Sequence, residues 1–299
     1  MNDQADKLRQ MALDVKQQIE REMTRELKRT RVVVISSGKG GVGKSTLALN
    51  IALCLCLRGK RILLMDADMG LANIDIMLGL VPKYNIHHMI QGKKSLKDII
   101  IAGPGGLSII PGGSGIAELA DLGEIDLKRI MVELGKLDGD FDYMIIDTGA
   151  GISSNVLSFL LSADDVIFIT TPEPTSMTDA YGMIKAVAKK SEDKVLYLVV
   201  NRAADSTEGV LVAEKFKLVC ERFLNLKINI LGHVINEPMV GEGIRRQQAF
   251  IEIFPRSVAA RNINSIAANL IRANDAGGSA VVNNSGIKHF FKKIMGLMQ

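Results

Sequence analysis

The chain has 299 residues, of which 47% are hydrophobic and 23% charged, a composition typical of a folded globular protein with one large domain or two modest ones. This composition excludes a disordered or collagen-like chain, and 37 Lys and Arg against 33 Asp and Glu is too small a surplus to predict nucleic-acid binding from overall charge. No apolar run approaches the roughly 18 residues that a membrane-spanning helix needs, and the N-terminus is charged, so we expect a cytoplasmic protein.

The predicted elements alternate between helices and strands along most of the chain. Residues 1–30 carry many charges, with apolar side chains at a spacing of three to four, which predicts an amphipathic helix before the fold. Over residues 31–275, apolar runs alternate with helical stretches, which predicts an α/β domain: a doubly wound, mostly parallel sheet with helices on both faces. A Gly-, Ser- and Asn-rich linker over residues 276–286 then leads to a last segment, 287–299. The predicted strands lie at residues 32–35, 62–65, 144–146, 166–169, 196–200 and 228–231.

A glycine-rich segment, GKGGVGKST over residues 38–46, follows the first predicted strand and precedes a helical stretch. It matches the G-x-x-x-x-G-K-[ST] pattern of a phosphate-binding loop in the required strand–loop–helix context. Glycines let backbone N–H groups approach phosphate oxygens, and the helix N-terminus adds partial positive charge. Lys44 then places an ammonium against the β- and γ-phosphates, and the Ser45 hydroxyl can ligate Mg²⁺. The residues assigned to nucleotide binding are Gly38, Gly40, Gly41, Val42, Gly43, Lys44, Ser45 and Thr46.

Acidic residues end two of the predicted strands. Asp66 and Asp68 follow residues 63–65 on the same side of an extended chain, because side chains in a strand alternate with a period of two. Asp147 ends the run at residues 143–146. In a doubly wound sheet both strand ends open onto the crevice beside the phosphate loop, where carboxylates can hold Mg²⁺ through water and orient an attacking water. Any one of these acids taken alone could instead cap a helix or form a turn.

The loop has a second lysine, Lys39, which the cradle geometry does not require because Lys44 already supplies the charge. The segment KGGVGKST over residues 39–46 resembles the deviant phosphate loop of the MinD/ParA family of dimerising ATPases. The resemblance implies that Lys39 reaches across a dimer to the phosphates bound by the partner subunit, as an arginine finger does. The alternative is a solvated loop lysine.

The same resemblance assigns roles to the acids and implies ATP and Mg²⁺ as ligands. It makes Asp147 the Walker B acid, places Asp66 in support of the metal shell and lets Asp68 position the hydrolytic water. It also matches Asn73 to a family position that contacts nucleotide or partner across the dimer.

One further residue, Asn201, bears on which nucleotide base the site accepts. A guanine site of N-K-x-D type needs a carboxylate three residues after its Asn, and here Asp205 comes one residue late. Adenine is therefore favoured, with Asn201 as the candidate contact by resemblance to the family.

Features outside the loop resemble one branch of the family. Residues 147–151 read DTGAG, where most MinD-like members have Pro in place of Gly149. Together with TPEPTS at 171–176 and TDAY at 178–181, this segment resembles the FlhG (YlxH) branch. The members of that branch regulate flagellar number and placement. Residues 3–9, DQADKLR, are similar to the segment with which that branch activates FlhF, a signal-recognition-type GTPase. A helix that only packs on its own domain is the alternative. The resemblance assigns partner contacts to Asp3, Gln4, Ala5, Leu8 and Arg9, and flagellar C-ring proteins are further candidate partners.

The last segment has the pattern of a basic amphipathic helix on a flexible tether, which is typical of a membrane-surface anchor. One copy should bind anionic lipid weakly, whereas a dimer presents two copies, so attachment could depend on ATP. The alternative is a core helix docked on its own domain, which could also be the ATP-free state of the same device. Ile287, Phe290, Phe291 and Ile294 share the apolar face, and Lys292 and Lys293 lie on the polar one.

The leading interpretation is an ATP-dependent switch that dimerises with ATP and Mg²⁺, binds the membrane peripherally and is reset by slow hydrolysis. The main alternative is a ParA-like partitioning ATPase, for which Arg245, Arg246, Arg256 and Arg261 could supply a DNA-binding surface. The predicted lipid-binding helix favours membrane over DNA. A metal-cluster carrier would need paired interface cysteines, which the three cysteines of this chain do not provide.

Overall fold

One mostly parallel sheet organises the computed structural model, which describes residues 29–68, 73–112, 129, 132–191, 194–276 and 286–298. The strands are β1 (Arg31–Ser37), β2 (Ile62–Ala67), β3 (Ile101–Ala102), β4 (Ser108–Ile110), β5 (Tyr143–Thr148), β6 (Asp165–Thr170), β7 (Val195–Ala203) and β8 (Asn229–Ile235). Their order in the sheet is β3-β4-β2-β5-β1-β6-β7-β8, and the edge strand β3 runs antiparallel to its neighbour β4. The predicted α/β fold is therefore confirmed.

Helices cover both faces of the sheet. Alternate side chains of each strand enter opposite cores: Val32 and Val34 belong to the hydrophobic core on one face of the sheet, while Val33 and Ile35 belong to the core on the other. Burial on both faces explains why the strands read as continuous apolar runs. The helices are α1 (Lys44–Leu57), α2 (Ile74–Met77), α3 (Ile86–Ile90), α4 (Leu96–Ile99), α5 (Ser154–Ser162), α6 (Pro174–Ala188), α7 (Ser206–Leu224), α8 (Pro238–Arg245), α9 (Phe250–Ile253), α10 (Val258–Ala276) and α11 (Ile287–Met298).

The central strand β1 sits where the sheet order changes direction. It pairs with β5 on one side and with β6 on the other, both parallel. At such a switch point the carboxyl ends of neighbouring strands leave a crevice, which is where α/β folds bind ligands. The phosphate loop follows β1 and therefore lies at this crevice.

The C-terminal helix α11 is docked on the domain. Ile287, Phe290, Phe291 and Ile294 are buried in the same core as α5, and the Phe290 ring lies 5.9 Å from that of Phe159, centroid to centroid. This is the docked arrangement that the sequence left open beside the membrane anchor. Among the described residues, no helix is both long and apolar enough to cross a bilayer.

The predicted domain boundaries stay predictions. α10 continues to Ala276, one residue past the expected domain end. Of the predicted linker, only residues 276 and 286 are described, and the N-terminal segment is described only from residue 29.

A candidate nucleotide site at the carboxyl edge of the sheet

The phosphate loop, residues 38–43, joins β1 to α1 and has the backbone that its glycines allow. Gly41 and Gly43 have φ angles of +77° and +89°, a left-handed conformation that favours glycine. A Cβ placed on Gly40 or Gly41 would meet no atom within 4 Å, so these backbones border open space. The open cradle fits a phosphate group, which a side chain at these positions would displace.

Two contacts fix the loop at its ends. At the first, the backbone of α6 approaches Gly38 so closely that an added Cβ would lie 2.6 Å from the amide nitrogen of Ala180. At the second, the Asn201 amide nitrogen donates to the carbonyl of Val42 at 2.7 Å, and a Cβ on Gly43 would lie 2.5 Å from that nitrogen. In this structure Asn201 therefore braces the loop, and its contact with a base stays a prediction.

Lys44 and Asp147 form a buried ion pair at the foot of the loop. Lys44 Nζ lies 2.5 Å from Asp147 Oδ1, and the two side chains are 7% and 0% exposed. Burial raises the pKa of Asp147, and the neighbouring ammonium opposes that shift. Lys44, Ser45 and Thr46 lie in the first turn of α1, so this helix begins three residues earlier than the sequence pattern indicates, and their contacts with nucleotide stay a prediction.

The second carboxylate oxygen of Asp147, Oδ2, shows whether the site suits a metal ion. Oδ2 is buried and has no hydrogen-bond partner within the described part of the chain. A buried polar atom without a partner is uncommon and calls for a ligand or water. Asp147 also interacts with the side chain of Ser45. A carboxylate with one unpartnered oxygen beside a hydroxyl group suits Mg²⁺, which takes oxygen ligands and keeps several of its waters. These residues therefore fit the metal that the family implies.

Asp66 lies opposite Asp147 in the register of β2 and β5. Its fully buried carboxylate accepts the backbone N–H groups of Asp68 at 3.1 Å, Asn73 at 2.8 Å and Ile74 at 3.1 Å. The pKa of Asp66 is raised to about 6, because burial and the charge of Asp147 together outweigh the three hydrogen bonds, which lower it. Asp66 here organises the chain that follows β2, while its support of a metal shell stays a prediction.

Asp68 lies at the same edge. A Cβ on Gly149 would be 3.7 Å from Asp68 Oδ1, so the carboxylate rests over the turn after β5. That turn is tied to β1, because the N–H of Gly151 donates to the carbonyl of Ser37 at 2.9 Å. The structure thus brings the three predicted acids to one edge beside the loop.

Lys39 extends away from the loop to the N-terminus of α6. Its ammonium lies 3.0 Å from Glu173 Oε2 and 3.2 Å from Thr175 Oγ1. The two charged side chains are 44% and 60% exposed, so solvent screens the pair strongly. In the sequence, residues 171–176 stand out only as a family signature, and no local pattern pairs them with Lys39. The Glu-Pro pair at residues 173–174 could have predicted the start of α6, but not its position beside the loop.

Some predicted residues bear on other surfaces or are not described. Asp3, Gln4, Ala5, Leu8 and Arg9 lie outside the described residues. Arg245 and Arg246 both bond the carboxylate of Glu242, at 2.6 and 2.7 Å, which partly neutralises the basic surface considered for DNA.

Comparison with known proteins identifies the family. A profile described as AAA domain matches residues 30–198. The chain is 35% identical over 237 residues to the antiactivator FleN of Pseudomonas aeruginosa, covering 79% of this chain and 85% of that one. It is 35% identical over 268 residues to the flagellum site-determining protein YlxH of Helicobacter pylori, covering 89% and 90%. The chain belongs to the MinD/ParA family, in its FlhG (YlxH) branch.

The fold agrees with this assignment. The septum site-determining protein MinD of Pyrococcus horikoshii, complexed with Mg-ADP, superposes with a TM-score of 0.67 at 24% identity, over 84% of this chain and 99% of that one. The resemblance seen in the sequence is therefore confirmed, and this member of the MinD/ParA family is a nucleotide-hydrolysing P-loop ATPase.

The loop glycines of this ATPase should separate into structural and ligand-binding positions. Gly38→Ala forces a methyl group into the backbone of α6, so we expect it to lower the free energy of unfolding of the nucleotide-free protein by about 1–3 kcal/mol. Gly40→Ala adds a methyl group in open space and should leave that stability within about 0.5 kcal/mol of wild type, yet weaken ATP binding. Chemical denaturation without nucleotide and calorimetric ATP titration test the pair. Wild-type ATP affinity in Gly40→Ala would contradict the assignment of the cradle.

Proposed function

We propose that this chain is an ATP-dependent dimerising switch of the flagellar branch of its family. ATP binding closes two protomers face to face, each lending Lys39 to the phosphates of the other, and slow hydrolysis resets the pair. The observation that carries this proposal is the position of Lys39. Its ammonium lies at the exposed rim of the loop, held by Glu173 and Thr175, while Lys44 occupies the interior.

The residues of the site can perform the chemistry of phosphoryl transfer to water. The open backbone of Gly40 and Gly41 receives the phosphates, and Lys44 exchanges Asp147 for a phosphate oxygen, one anion for another. Ser45 and Asp147 would hold Mg²⁺, which, when bound, neutralises charge on the phosphate oxygens. The Pyrococcus relative complexed with Mg-ADP supports this choice of ligands.

Asp68 is the residue proposed to orient the attacking water. Its carboxylate rests over Gly149, between the end of β2 and the turn after β5. A carboxylate at this point can accept a hydrogen bond from water without having to remove its proton before the phosphate bond breaks.

The transfer of Lys39 to a partner costs little. An exposed ion pair contributes at most about 1 kcal/mol, so Glu173 holds Lys39 only weakly. The phosphates of a bound nucleotide carry more charge and, in a closed dimer, would be shielded from water, which strengthens the attraction.

Dimerisation should depend on Lys39 and not on lysine content in general. In an Asp68→Ala background that cannot hydrolyse ATP, we expect sedimentation to show a dimer with ATP and a monomer with ADP. Adding Lys39→Ala should abolish the dimer, because the cross-subunit cation is lost. Lys189→Ala, at an exposed lysine of the turn after α6, is the matched control and should dimerise normally.

Glu173→Gln adds a sharper comparison, since it frees Lys39 without removing it. It should leave the dimer intact or allow it at lower ATP concentration. A parent protein that stays monomeric with ATP at micromolar concentration would disprove the switch.

For α11 we propose that the docked helix is the ATP-free state of a membrane anchor. Its apolar face is buried, while Lys292 and Lys293 remain exposed. Burial, and after it the neighbouring ammonium of Lys293, lower the pKa of Lys194 to about 8. Repulsion between these two lysines opposes docking, and an anionic membrane surface would relieve it.

Flotation with vesicles tests the anchor. In the Asp68→Ala background, we expect flotation with anionic vesicles in ATP but not in ADP, because only the dimer presents two helices. A chain ending before Ile287 should not float. The double variant Lys292→Glu with Lys293→Glu keeps the apolar face and should also not float. This variant shows that flotation depends on attraction to anionic lipid, because it does not expose the surface that α11 covers. Equal flotation with both nucleotides would refute the coupling.

The named relatives support a role in flagellar placement, since one of them is a flagellum site-determining protein. The similarity of residues 3–9 to the FlhF-activating segment of the branch supports stimulation of that GTPase. Flagellar C-ring proteins remain a prediction of the same resemblance.

Stimulation of FlhF should depend on particular residues of the N-terminal segment. We expect the full chain to raise GTP hydrolysis by FlhF, and Gln4→Ala or Arg9→Ala to lower that effect, because polar groups at these positions would reach the neighbouring phosphate site. Lys7→Ala, in the same segment but outside the assigned set, is the control. Equal stimulation by all four proteins would argue against this partner.

A further inference from the structure

Three non-glycine residues have a left-handed backbone among the residues described: Arg202, Asn225 and Gln247, with φ angles of 58°, 50° and 52°. Asn225 ends α7, where asparagine is tolerated. Arg202 lies in the irregular register between β7 and β8. Local structure therefore accounts for the first two, whereas Gln247 needs a further reason.

Gln247 occupies a position at the end of α8 that usually belongs to glycine. Its N–H donates to the carbonyl of Ile244 at 3.1 Å, and the N–H of Gln248 donates to that of Gly243 at 3.0 Å. These two bonds form a Schellman motif, in which the left-handed residue is commonly glycine because it has no Cβ. A glutamine here keeps an unfavourable backbone, so its side chain should have a use.

The side chain of Gln247 reaches the C-terminal end of a second helix, α2. Its Nε2 donates to the carbonyl of Ile76 at 3.0 Å, across 171 positions of sequence. Its Oε1 and Cβ lie 3.3 and 3.4 Å from where a Cβ of Gly79 would be. Gly79, with φ +62°, closes the same kind of motif at the end of α2. Gln247 thus caps the C-terminus of α2.

The N-terminus of α2 is held by the nucleotide site itself. Asp66 accepts the N–H groups of Asn73, the N-cap residue, and of Ile74, the first residue of this short helix. Because α2 has only four residues, it cannot be a stable helix alone. It takes its position from the burial of Ile74 in the core and from these two attachments at its ends. One attachment comes from the carboxyl edge of the sheet and the other from Gln247.

We propose that Gln247 is a positioning residue for ATP hydrolysis. It holds α2 so that Asn73 and the strand end carrying Asp66 and Asp68 keep their place beside the phosphate loop. This role rests on the proposed hydrolytic function, and it acts through α2 without contact to nucleotide.

Two substitutions at Gln247 separate positioning from stability. Gln247→Gly removes the side chain and relieves the backbone, so the melting temperature should stay equal or rise while kcat falls about fivefold, which corresponds to about 1 kcal/mol. KM for MgATP should change little, because the loop is untouched. Gln247→Glu keeps the size and the backbone but loses the donor, so it should lower both kcat and the melting temperature.

Asn225→Gly is the matched control, since it relieves the same kind of backbone at the end of α7. It should raise the melting temperature and leave kcat at the wild-type value. Wild-type kcat in Gln247→Gly, or an equal loss in Asn225→Gly, would overturn the proposal.

Amide hydrogen exchange supplies a readout that does not need turnover. In Gln247→Gly, exchange in residues 76–80 should be faster than in wild type, with no change in α7, and Asn225→Gly should leave residues 76–80 unchanged. Faster exchange together with an unchanged kcat would show that Gln247 holds α2 without positioning the site, which also rejects the inference. If the wild-type protein released no phosphate above a Lys44→Ala background, the proposed function itself would fail, whereas the exchange result would still report on α2.

Discussion

The buried ion pair of Lys44 and Asp147 is the interaction on which the site depends. Both groups are withdrawn from water at the central edge of the sheet. Removing one partner of such a pair leaves an unpaired buried charge, which costs several kcal/mol by general experience. Lys44 can therefore leave Asp147 only when another anion arrives. A phosphate group provides that anion. Until nucleotide binds, the ion pair therefore keeps Lys44 in place at the foot of the loop.

Helix α6 links the loop to the rest of the molecule. Its backbone meets Gly38, Glu173 at its start holds Lys39, and its body packs on α5, which in turn packs on α11. Packed elements couple two distant sites only when they can adopt two arrangements and when both sites shift the equilibrium between them. Here one end would exchange Lys39 between Glu173 and a partner's phosphates, and the other end would hold or release α11.

Features set by local sequence patterns could be predicted from the sequence, whereas features set by contacts between distant residues could not. The phosphate loop and the acids at 66, 68 and 147 were found because motif and strand alternation are local. The short strands β3 and β4 were missed, since two and three residues around a glycine-rich turn give no period to detect. The docking of Phe290 was left open because one apolar face suits either lipid or a core. The partners of Lys39 and Gln247 lie 134 and 171 positions away, beyond any pattern of spacing.

Charge balance at the carboxyl edge explains why nucleotide should enter together with its metal. Asp66 and Asp147 face each other in register, both buried, and Lys44 is the cation paired with the second of them. Burial, and after it the negative charge of Asp147, raise the pKa of Asp66 to about 6. Triphosphate alone would add negative charge to this edge, whereas a divalent cation beside Asp147 Oδ2 would offset it. Asp66 can then stay ionised and keep its hydrogen bonds to the backbone of Asn73 and Ile74. The same cation that serves the phosphates would thus stabilise the attachment of α2.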